Sequence, residues 1–505
     1  MPDSSEDSYS SSLLALTQGA TLFFIGRILK NGLTALFNLI LTRGLGATLF
    51  GIYTYAWTLT SLAIVLGRLG TGKSLLRFIP DYSDDLAKRN NFFSLALFTA
   101  VTGSSVIGVV FYVAAPTISS QTLESPLLVQ ALRIFAFALP FYTLIRLTGE
   151  VFRSVEKIKY KIVLIDILSP LSKVVFTGIV LAVGYSLLGV VTTLLLVGVF
   201  TFFIGIIMII HSTDLRPSFD LQQTHKNYDE FFGYSIPLTF KDIGSLLYTR
   251  IDILMVGIFL TNSSVGIYRI STLLAMFLSL PLSGFNQLFP PIASRLYSNG
   301  DLEELGSLYE RVTRWTFTLS ILPALVAIVY GQEILLIFGP KFTKGALVLS
   351  ILTIGQLTNC LIGPSGFLLM MTDHQYLNLL NQWILGILNA ILNYVLIQRY
   401  GIAGAALATA SVLSIINLVR IGQVWYTERL MPYSWSFLKP IIAGFTTVCT
   451  LITFSFILEG YVLLILGSTG GGIVFLSTLY VLGIEQSDKE FFSKILNDYI
   501  INRSV

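Results

Sequence analysis

Pro237–Leu260, PLTFKDIGSLLYTRIDILMVGIFL, is the stretch that decides how this chain folds. At about 1.5 Å per residue, a helix of this length crosses a lipid bilayer. Four charged side chains nevertheless interrupt it, namely Lys241, Asp242, Arg250 and Asp252. Because a charge at the centre of a membrane costs about 2.5–3.5 kcal/mol, a span that keeps four of them is expected to face a polar interior.

The charges of this span do not all point the same way. With about 100° of rotation per residue, Lys241, Ser245 and Asp252 share one face of the helix, and Asp242 lies at its edge. Arg250 points to the opposite side, among leucines. It therefore requires a neighbouring helix, a groove or a local helix break.

The same pattern occurs twice in the chain. Gly266–Tyr268 repeats the Gly-Ile-Tyr of Gly51–Tyr53, and the Tyr400 and Gly404 pair repeats the Tyr185 and Gly189 pair, both at a separation of 215 positions. One constant offset over so long a distance indicates an internal duplication.

The composition is that of a membrane protein with many spans. Mean hydropathy is +0.77, 54% of the residues are hydrophobic and only 12% are charged, which excludes the soluble classes. Cys360 and Cys449 both lie in apolar segments, so neither a disulfide framework nor a metal site is expected. The hydropathy pattern predicts an all-α polytopic fold of about fourteen transmembrane helices.

The duplication predicts how these helices are grouped. Two six-helix bundles would be related by a pseudo-two-fold axis along the membrane normal, because six is an even number of crossings, and two helices would follow them. The expected segments are a cytoplasmic N-terminal segment (1–13), the first bundle (14–210), a cytoplasmic linker (211–236), the second bundle (237–425), an extra helix pair (426–484) and an amphipathic cytoplasmic tail (485–505).

The basic residues of the loops set the expected orientation. Eighteen Lys and Arg residues fall in loops on the side of the N-terminus, against four on the other side. By the positive-inside rule, both termini are predicted in the cytoplasm and the chain in the cell membrane.

Ten basic residues remain inside or at the ends of the predicted spans. They are Arg27, Lys30, Arg68, Arg133, Arg146, Lys173, Lys241, Arg250, Arg269 and Arg420. Snorkelling accounts for those near an end, such as Arg68, Arg133 and Arg420. The central ones need a polar environment inside the protein.

Polar side chains follow one face of three predicted spans. The faces consist of Arg27, Asn31, Thr34 and Asn38 with Lys30 at the margin, of Asp166, Ser169, Lys173 and Thr177, and of Gln382, Asn389 and Asn393 beside Leu385. Such faces are expected to meet around a water-filled cleft. The alternative is that the buried amides only join helices through polar contacts.

Gly67–Ser74, GRLGTGKS, matches the phosphate-loop pattern of nucleotide-binding proteins letter for letter. That loop requires a strand before it, a helix after it and an α/β domain to hold both. Here it ends a predicted transmembrane helix, so we reject nucleotide binding. The glycines are expected to loosen the end of that span.

Leu41–Tyr53, LTRGLGATLFGIY, resembles the polysaccharide-transporter family, the O-antigen-type flippases of the multidrug/oligosaccharidyl-lipid/polysaccharide exporter superfamily. Arg77–Pro80, Tyr248–Asp252, Phe289–Pro290 and Tyr400–Ala406 extend the resemblance over nearly the whole chain. The resemblance implies a transporter and not an enzyme. The expected activity is flipping of a sugar on a polyprenyl or dolichyl phosphate or pyrophosphate from the inner to the outer leaflet, by alternating access, for surface polysaccharide or glycoprotein glycan synthesis.

A sugar phosphate headgroup is anionic and hydrophilic, so its passage needs cations for phosphate and amides for hydroxyl groups. The candidates for phosphate are Arg27, Lys30, Lys173, Arg250 and Arg269. The candidates for sugar are Asn31, Asn38, Asn378, Gln382, Asn389 and Asn393. The candidates for a coupling H⁺ or Na⁺ are Asp166, Asp242 and Asp252, with structural pairing to lysine as the alternative.

The expected partners are the lipid-linked sugar and membrane lipids. No nucleic acid, catalytic group, metal or other cofactor is expected, and the chain is expected to be a monomer.

Three other functions stay open at this point. A multidrug or cation antiporter shares the superfamily fold, but intramembrane cations would repel its substrates. A polysaccharide polymerase or ligase would need a sizeable outer loop, whereas the longest, near 115–127, has only Glu124 as a charged group. An uncoupled scramblase or a scaffold is the third.

Overall fold

The computed structural model describes residues 4–218, 221–483 and 485, and within these ranges every regular element is a helix. The predicted all-α fold is therefore confirmed. Its side chains are described from residue 26 onwards, apart from those at 28, 221–226, 247 and 248. Residues 1–3 of the predicted N-terminal segment and 486–505 of the predicted tail lie outside the described residues.

The chain divides into two compact units, Met1–Gly266 and Ile267–Val505. The helices that begin in the first unit are α1 (Ser4–Arg68), α2 (Thr71–Asp81), α3 (Leu86–Ser120), α4 (Pro126–Ser154), α5 (Ile158–Lys161), α6 (Ser169–Ala182), α7 (Leu187–Ser212), α8 (Leu221–Phe259) and α9 (Asn262–Phe277). A π-helical turn, Ile162–Leu168, joins α5 to α6.

Helix α9 continues into the second unit, where further helices follow it. They are α10 (Leu280–Asn299), α11 (Leu302–Val329), α12 (Gly331–Leu336), α13 (Ala346–Ile362), α14 (Ser365–Met371), α15 (Gln375–Glu428), α16 (Leu438–Ser455), α17 (Gly460–Val462) and α18 (Ser468–Val481). Short 3₁₀ turns, Pro340–Gly345 and Trp435–Phe437, precede α13 and α16, and a second π-helical turn, Leu463–Gly467, precedes α18.

Ten helices of the described residues are long and apolar enough to cross a membrane, or eleven if the bent pair α9 and α10 forms one span. Two of the ten, Leu29–Arg68 and Gln375–Glu428, are each long enough for two spans of about 20 residues. Helix α8, with its four charges, is not among them. A polytopic fold follows, while the number fourteen stays a prediction.

The breaks between helices recur at the spacing of the duplication. Gly46 interrupts α1 with a φ of 68°, and 215 positions later Thr261 separates α8 from α9. Gly401 interrupts α15 with a φ of 58°, and 215 positions earlier Ser186 precedes α7. The backbone thus repeats the pattern that the sequence indicated.

The repeated Gly-Ile-Tyr brings two helix backbones into contact. A Cβ atom on Gly51 of α1 would lie 1.7 Å from the carbonyl oxygen of Asn262, and one on Gly266 of α9 would lie 2.3 Å from the carbonyl oxygen of Ala47. Only glycine fits at either position, because any side chain would overlap the facing backbone. This contact explains why the glycine occurs in both copies.

The first half of α8 packs onto helices of the first unit. Phe231 stacks on Phe92 of α3 with a 6.0 Å centroid distance, and Phe92 stacks on Phe78 of α2 at 4.7 Å. The amide of Asn227 donates to Asn91 at 3.1 Å. Residues 227–236 of the predicted linker 211–236 therefore belong to a packed helix. The predicted bundle boundaries stay a prediction.

The backbone contact at Gly51 predicts a stability difference between two glycines of α1. Gly51→Ala is expected to lower the free energy of unfolding by about 1–3 kcal/mol, because the methyl group overlaps Asn262. The matched control is Gly32→Ala, where an added Cβ has no atom within 4 Å and higher helix propensity favours alanine. Thermal unfolding of the detergent-solubilised variants measures both. Equal stability of the two variants would contradict the contact.

Candidate functional site

The polar face of α1 points into the first unit. Its members Arg27, Lys30, Asn31, Thr34 and Asn38 are half-buried or buried. On the other side of the helix, Leu29 and Leu36 are 42% and 43% exposed. This is the inverse of a soluble helix, with apolar groups outside and polar groups inside, and it suits a helix that borders a polar interior within a membrane.

Lys30 forms an ion pair across this interior. Its Nζ donates to Oδ1 of Asp166 at 2.7 Å. Asp166 is buried and lies in the π-helical turn Ile162–Leu168. A π-helical turn widens the helix locally and occurs often at functional sites. Here the turn carries the carboxylate that pairs with Lys30 of α1. This ion pair is the structural pairing to lysine that the sequence offered as the alternative to ion coupling.

Lys173, two turns further along, has aromatic neighbours instead of a carboxylate. Its Nζ lies 5.2 Å from the ring centre of Trp57 and 5.1 Å from that of Tyr142. In the part of the chain that the structure describes, Lys173 takes part in no ion pair. Cation–π contacts of this kind are worth about 0.5–2 kcal/mol and leave the charge uncompensated. An anion in the interior would therefore find an available cation here.

Arg146 of α4 is a residue of this interior that sequence reasoning did not select. Its side chain is exposed to solvent although protein atoms surround it on most sides, as expected for a group that lines a cavity. Arg68, Asp242 and Arg250 are within electrostatic range of it, and so is Lys173. The sequence signal for Arg146 was its place among the ten basic residues inside or at the ends of the predicted spans.

Asp242 of α8 forms ion pairs with two cations, one at the end of α1 and one in α2. Its Oδ2 accepts from Nη2 of Arg68 at 3.1 Å, and its Oδ1 accepts from Nζ of Lys73 at 2.9 Å. Arg68 had been explained by snorkelling, whereas its guanidinium is buried and paired. The ion-coupling candidate Asp242 is thus a salt-bridged carboxylate.

The remaining candidates of α8 are placed differently from one another. Arg250 is half-buried and within electrostatic range of Asp252 and of Arg146. What surrounds the Arg250 guanidinium, which lies on the side opposite to Lys241, stays a prediction. Asp252 is buried, and its Oδ1 accepts from the backbone N–H of Ile253 at 2.8 Å. Lys241 and Ser245, on the same predicted face as Asp252, are exposed.

Two of the four amide candidates of the second unit hydrogen-bond to each other. Asn389 and Asn393 are buried, and Nδ2 of Asn393 donates to both the carbonyl oxygen and Oδ1 of Asn389 at 2.8 Å. Gln382 is exposed. These hydrogen bonds lie within α15, and Oδ1 of Asn393 has no partner among the described residues. Contact of either asparagine with sugar stays a prediction.

Two further candidates of the second unit lie at partly accessible positions. Asn378 is half-buried, and its buried Oδ1 has no hydrogen-bond partner among the described residues. Arg269 of α9 is half-buried. The pattern also missed Asn381, which is buried and exchanges amide hydrogen bonds of 2.7 and 3.1 Å with Gln423.

Solved structures share this fold. The lipid II flippase MurJ in its inward closed conformation superposes with a TM-score of 0.68 at 16% identity, covering 92% of this chain and 98% of MurJ. An inward-facing multidrug resistance MATE family transporter superposes with a TM-score of 0.64 at 13% identity, covering 79% of this chain and 94% of that one. This chain therefore shares the helical fold of these two proteins.

Sequence comparison identifies the family of the chain. The profile of the family described as "Polysaccharide biosynthesis protein" matches residues 16–295, and the MatE profile matches residues 237–395. Since the first match covers more than half of the chain, the protein belongs to the polysaccharide biosynthesis protein family.

Two relatives from Haloferax volcanii match parts of the chain. The probable low-salt glycan biosynthesis flippase Agl15 is 34% identical over 208 residues, which are 39% of this chain and 41% of Agl15. The probable flippase AglR is 26% identical over 210 residues, which are 39% of this chain and 40% of AglR. The matched region thus spans about two fifths of each relative's length.

The ion pair of Lys30 with Asp166 predicts a measurable coupling. Asp166→Ala and Lys30→Ala are each expected to lower stability, and the double variant is expected to lose about 1 kcal/mol less than the sum of the two, because the pair is then removed together. Unfolding of the four proteins in detergent gives the coupling energy.

A second cycle serves as the control for this measurement. Arg27 lies on the same face of α1 as Lys30 but makes no ion pair in the described residues, so Arg27→Ala and Asp166→Ala are expected to add within about 0.5 kcal/mol. Equal coupling energies in the two cycles would show that Asp166 interacts with the overall charge of α1 and not with Lys30 in particular, which would contradict the specific ion pair.

Proposed function

We propose that this protein flips a lipid-linked oligosaccharide, on a polyprenyl or dolichyl phosphate or pyrophosphate carrier, from the cytoplasmic to the outer leaflet. The observation that carries the proposal is the interior of the first unit, where Lys173 has no carboxylate partner among the described residues and Lys30 and Arg146 lie near it. Family membership and the names of the Haloferax relatives support the same class of substrate.

The chemistry of the interior fits the headgroup of such a lipid. Phosphate oxygens form charge-assisted hydrogen bonds with lysine and arginine, which are about twice as strong as neutral ones. Without such groups, the passage of the headgroup through hydrocarbon would cost many kcal/mol. Arg27, Lys30, Lys173, Arg250 and Arg269 are proposed to contact phosphate, and we add Arg146 to them. The acyl or prenyl tail would stay in the bilayer.

The sugar is proposed to contact amides that remain accessible. Asn31 on α1 is half-buried, and Gln382 on α15 is exposed. Oδ1 of Asn378 has no hydrogen-bond partner among the described residues. Asn38 is a weaker contact, because it is buried and its Nδ2 already donates to the carbonyl oxygen of Thr34 at 2.7 Å.

The proposal also includes the orientation of the chain in the membrane and the residues that could couple transport to H⁺ or Na⁺. The excess of basic residues in alternate loops favours cytoplasmic termini in the plasma membrane, and we propose that the chain acts as a monomer. Proton or Na⁺ coupling through Asp166 or Asp242 would require its ion pair to open first, because each carboxylate is held by lysine or arginine. Asp252 is the third candidate.

The MatE match over 237–395 makes a multidrug or cation antiporter the second candidate function. Organic cations would be repelled by an interior in which Lys173 has no carboxylate partner within the described part of the chain and in which Arg146 and Lys30 lie close by. A dye-efflux assay separates the two. Export of cationic dyes by the purified protein in liposomes would favour the antiporter.

A deletion strain tests the proposed function. Loss of the gene is expected to make one lipid-linked glycan accumulate on the cytoplasmic leaflet, and the wild-type gene is expected to restore its export. The Arg27→Ala and Lys30→Ala double variant and the Lys173→Met variant are expected to be expressed without restoring export. Arg399→Ala, which removes an exposed cation from α15, is the matched control and should restore export.

The outcome that would overturn the phosphate assignment is full export by the double variant and by Lys173→Met, at wild-type protein levels. The readout is the ratio of outer to inner glycan, measured by mass spectrometry after digestion of surface glycan.

A further inference from the structure

The motif Gly67–Ser74 has a structural role that the proposed function does not use. It forms the junction between α1 and α2, where Leu69 and Gly70 leave the helix with φ values of 48° and 68°. A Cβ atom on Gly70 would lie 2.2 Å from the carbonyl oxygen of Ser235. The junction therefore packs directly against the backbone of α8.

A clasp of three charged residues holds α8 at this junction. Arg68 precedes the junction, Lys73 follows it, and Asp242 lies two turns after Ser235 on α8. Each cation binds one oxygen of the same carboxylate, at 3.1 and 2.9 Å. We refer to Arg68, Lys73 and Asp242 as the clasp.

The two cations of the clasp have hydrogen-bond donors that Asp242 does not use. The guanidinium of Arg68 is buried, with 8% of the residue exposed, and its Nε has no hydrogen-bond partner among the described residues. Lys73 is partly open to solvent, and Arg146 lies within electrostatic range of both Arg68 and Asp242. The nearby Glu150 is engaged by Arg153 at 2.9 Å. One carboxylate thus faces more positive charge than it neutralises.

We propose that the clasp is an anion-exchange site, in which a phosphate group displaces the carboxylate of Asp242 from Arg68 and Lys73 and thereby releases α8 from the junction. Phosphate has more charge and more acceptor oxygens than a carboxylate, so it can hold both cations and also reach the Nε of Arg68. The exchange replaces one anion by another and leaves no cation uncompensated. This inference rests on the proposed function, since the physiological ligand would be the phosphate of the lipid-linked sugar.

The competition between Asp242 and phosphate for the two cations predicts the direction in which the affinity for phosphate changes. While Asp242 occupies the cations, only the fraction of molecules with an open clasp can bind phosphate, which lowers the apparent affinity. Removing the charge of Asp242 should therefore increase the affinity for phosphate. Binding of phosphate should in turn expose the segment of α8 around Asp242.

The test uses the full chain in lipid nanodiscs with two probes, inorganic pyrophosphate and farnesyl diphosphate. In the wild type, both are expected to accelerate hydrogen exchange in segment 235–246. Asp242→Asn is expected to bind pyrophosphate at least about fivefold more tightly and to exchange rapidly without any probe. Asp229→Asn, an exposed carboxylate on the same helix, is the matched control and should behave as the wild type.

Two further variants keep the proposal testable if Asp242→Asn does not fold. Lys73→Gln is expected to bind pyrophosphate at least about fivefold more weakly, and Asp242→Glu, which keeps the charge, is expected to bind as the wild type. Unchanged affinity in Lys73→Gln together with unchanged exchange of segment 235–246 on adding pyrophosphate would overturn the exchange site. Equal affinity of the wild type for both probes would overturn its assignment to a lipid-linked phosphate.

The deletion strain separates this inference from the proposed function. If the wild type restores glycan export but pyrophosphate does not affect α8, the anion exchange is wrong and the flippase assignment stands. If pyrophosphate opens the clasp but the deletion strain accumulates no lipid-linked glycan, the flippase assignment fails.

Discussion

The need to compensate positive charge inside a membrane governs the first unit. An uncompensated cation in hydrocarbon costs several kcal/mol, so each lysine or arginine there must reach an anion, an aromatic ring or water. Lys30 reaches Asp166, Arg68 reaches Asp242, and Lys173 lies between aromatic rings. These contacts join α1, α4, α6 and α8, so the same charges that would attract a phosphate also determine how the helices pack.

Much of this fold could be predicted because duplication and periodicity are properties of the local sequence. The helix breaks at Gly46 and Gly401 recur at the offset of 215 positions that indicated the duplication, and the polar face of α1 points inward as its spacing indicated. The partners could not be predicted. Lys30 and Asp166 are 136 positions apart, and Arg68 and Asp242 are 174 positions apart. Periodicity assigns a side chain to a face of its helix but does not identify the helix opposite.

The two units differ in how their polar residues are satisfied. In the first unit, Arg68 and Lys73 share the carboxylate of Asp242, and neither Lys173 nor Arg146 makes an ion pair with a described residue. In the second, amides such as Asn393 and Asn389 or Asn381 and Gln423 hydrogen-bond to each other within α15, and Oδ1 of Asn393 has no partner among the described residues. Duplicated faces have therefore acquired different chemistry, and the first unit is the better candidate for binding the charged part of a substrate.

Cysteine accessibility along α1 tests most directly whether the cationic interior contains water. In a chain with Cys360→Ala and Cys449→Ser, the account predicts that Thr34→Cys on the polar face reacts rapidly with a charged, membrane-impermeant thiol reagent, and that Leu36→Cys on the apolar face reacts slowly. Thr34 is half-buried within the unit and Leu36 is exposed on its outside. Faster reaction of Leu36→Cys than of Thr34→Cys would contradict the account.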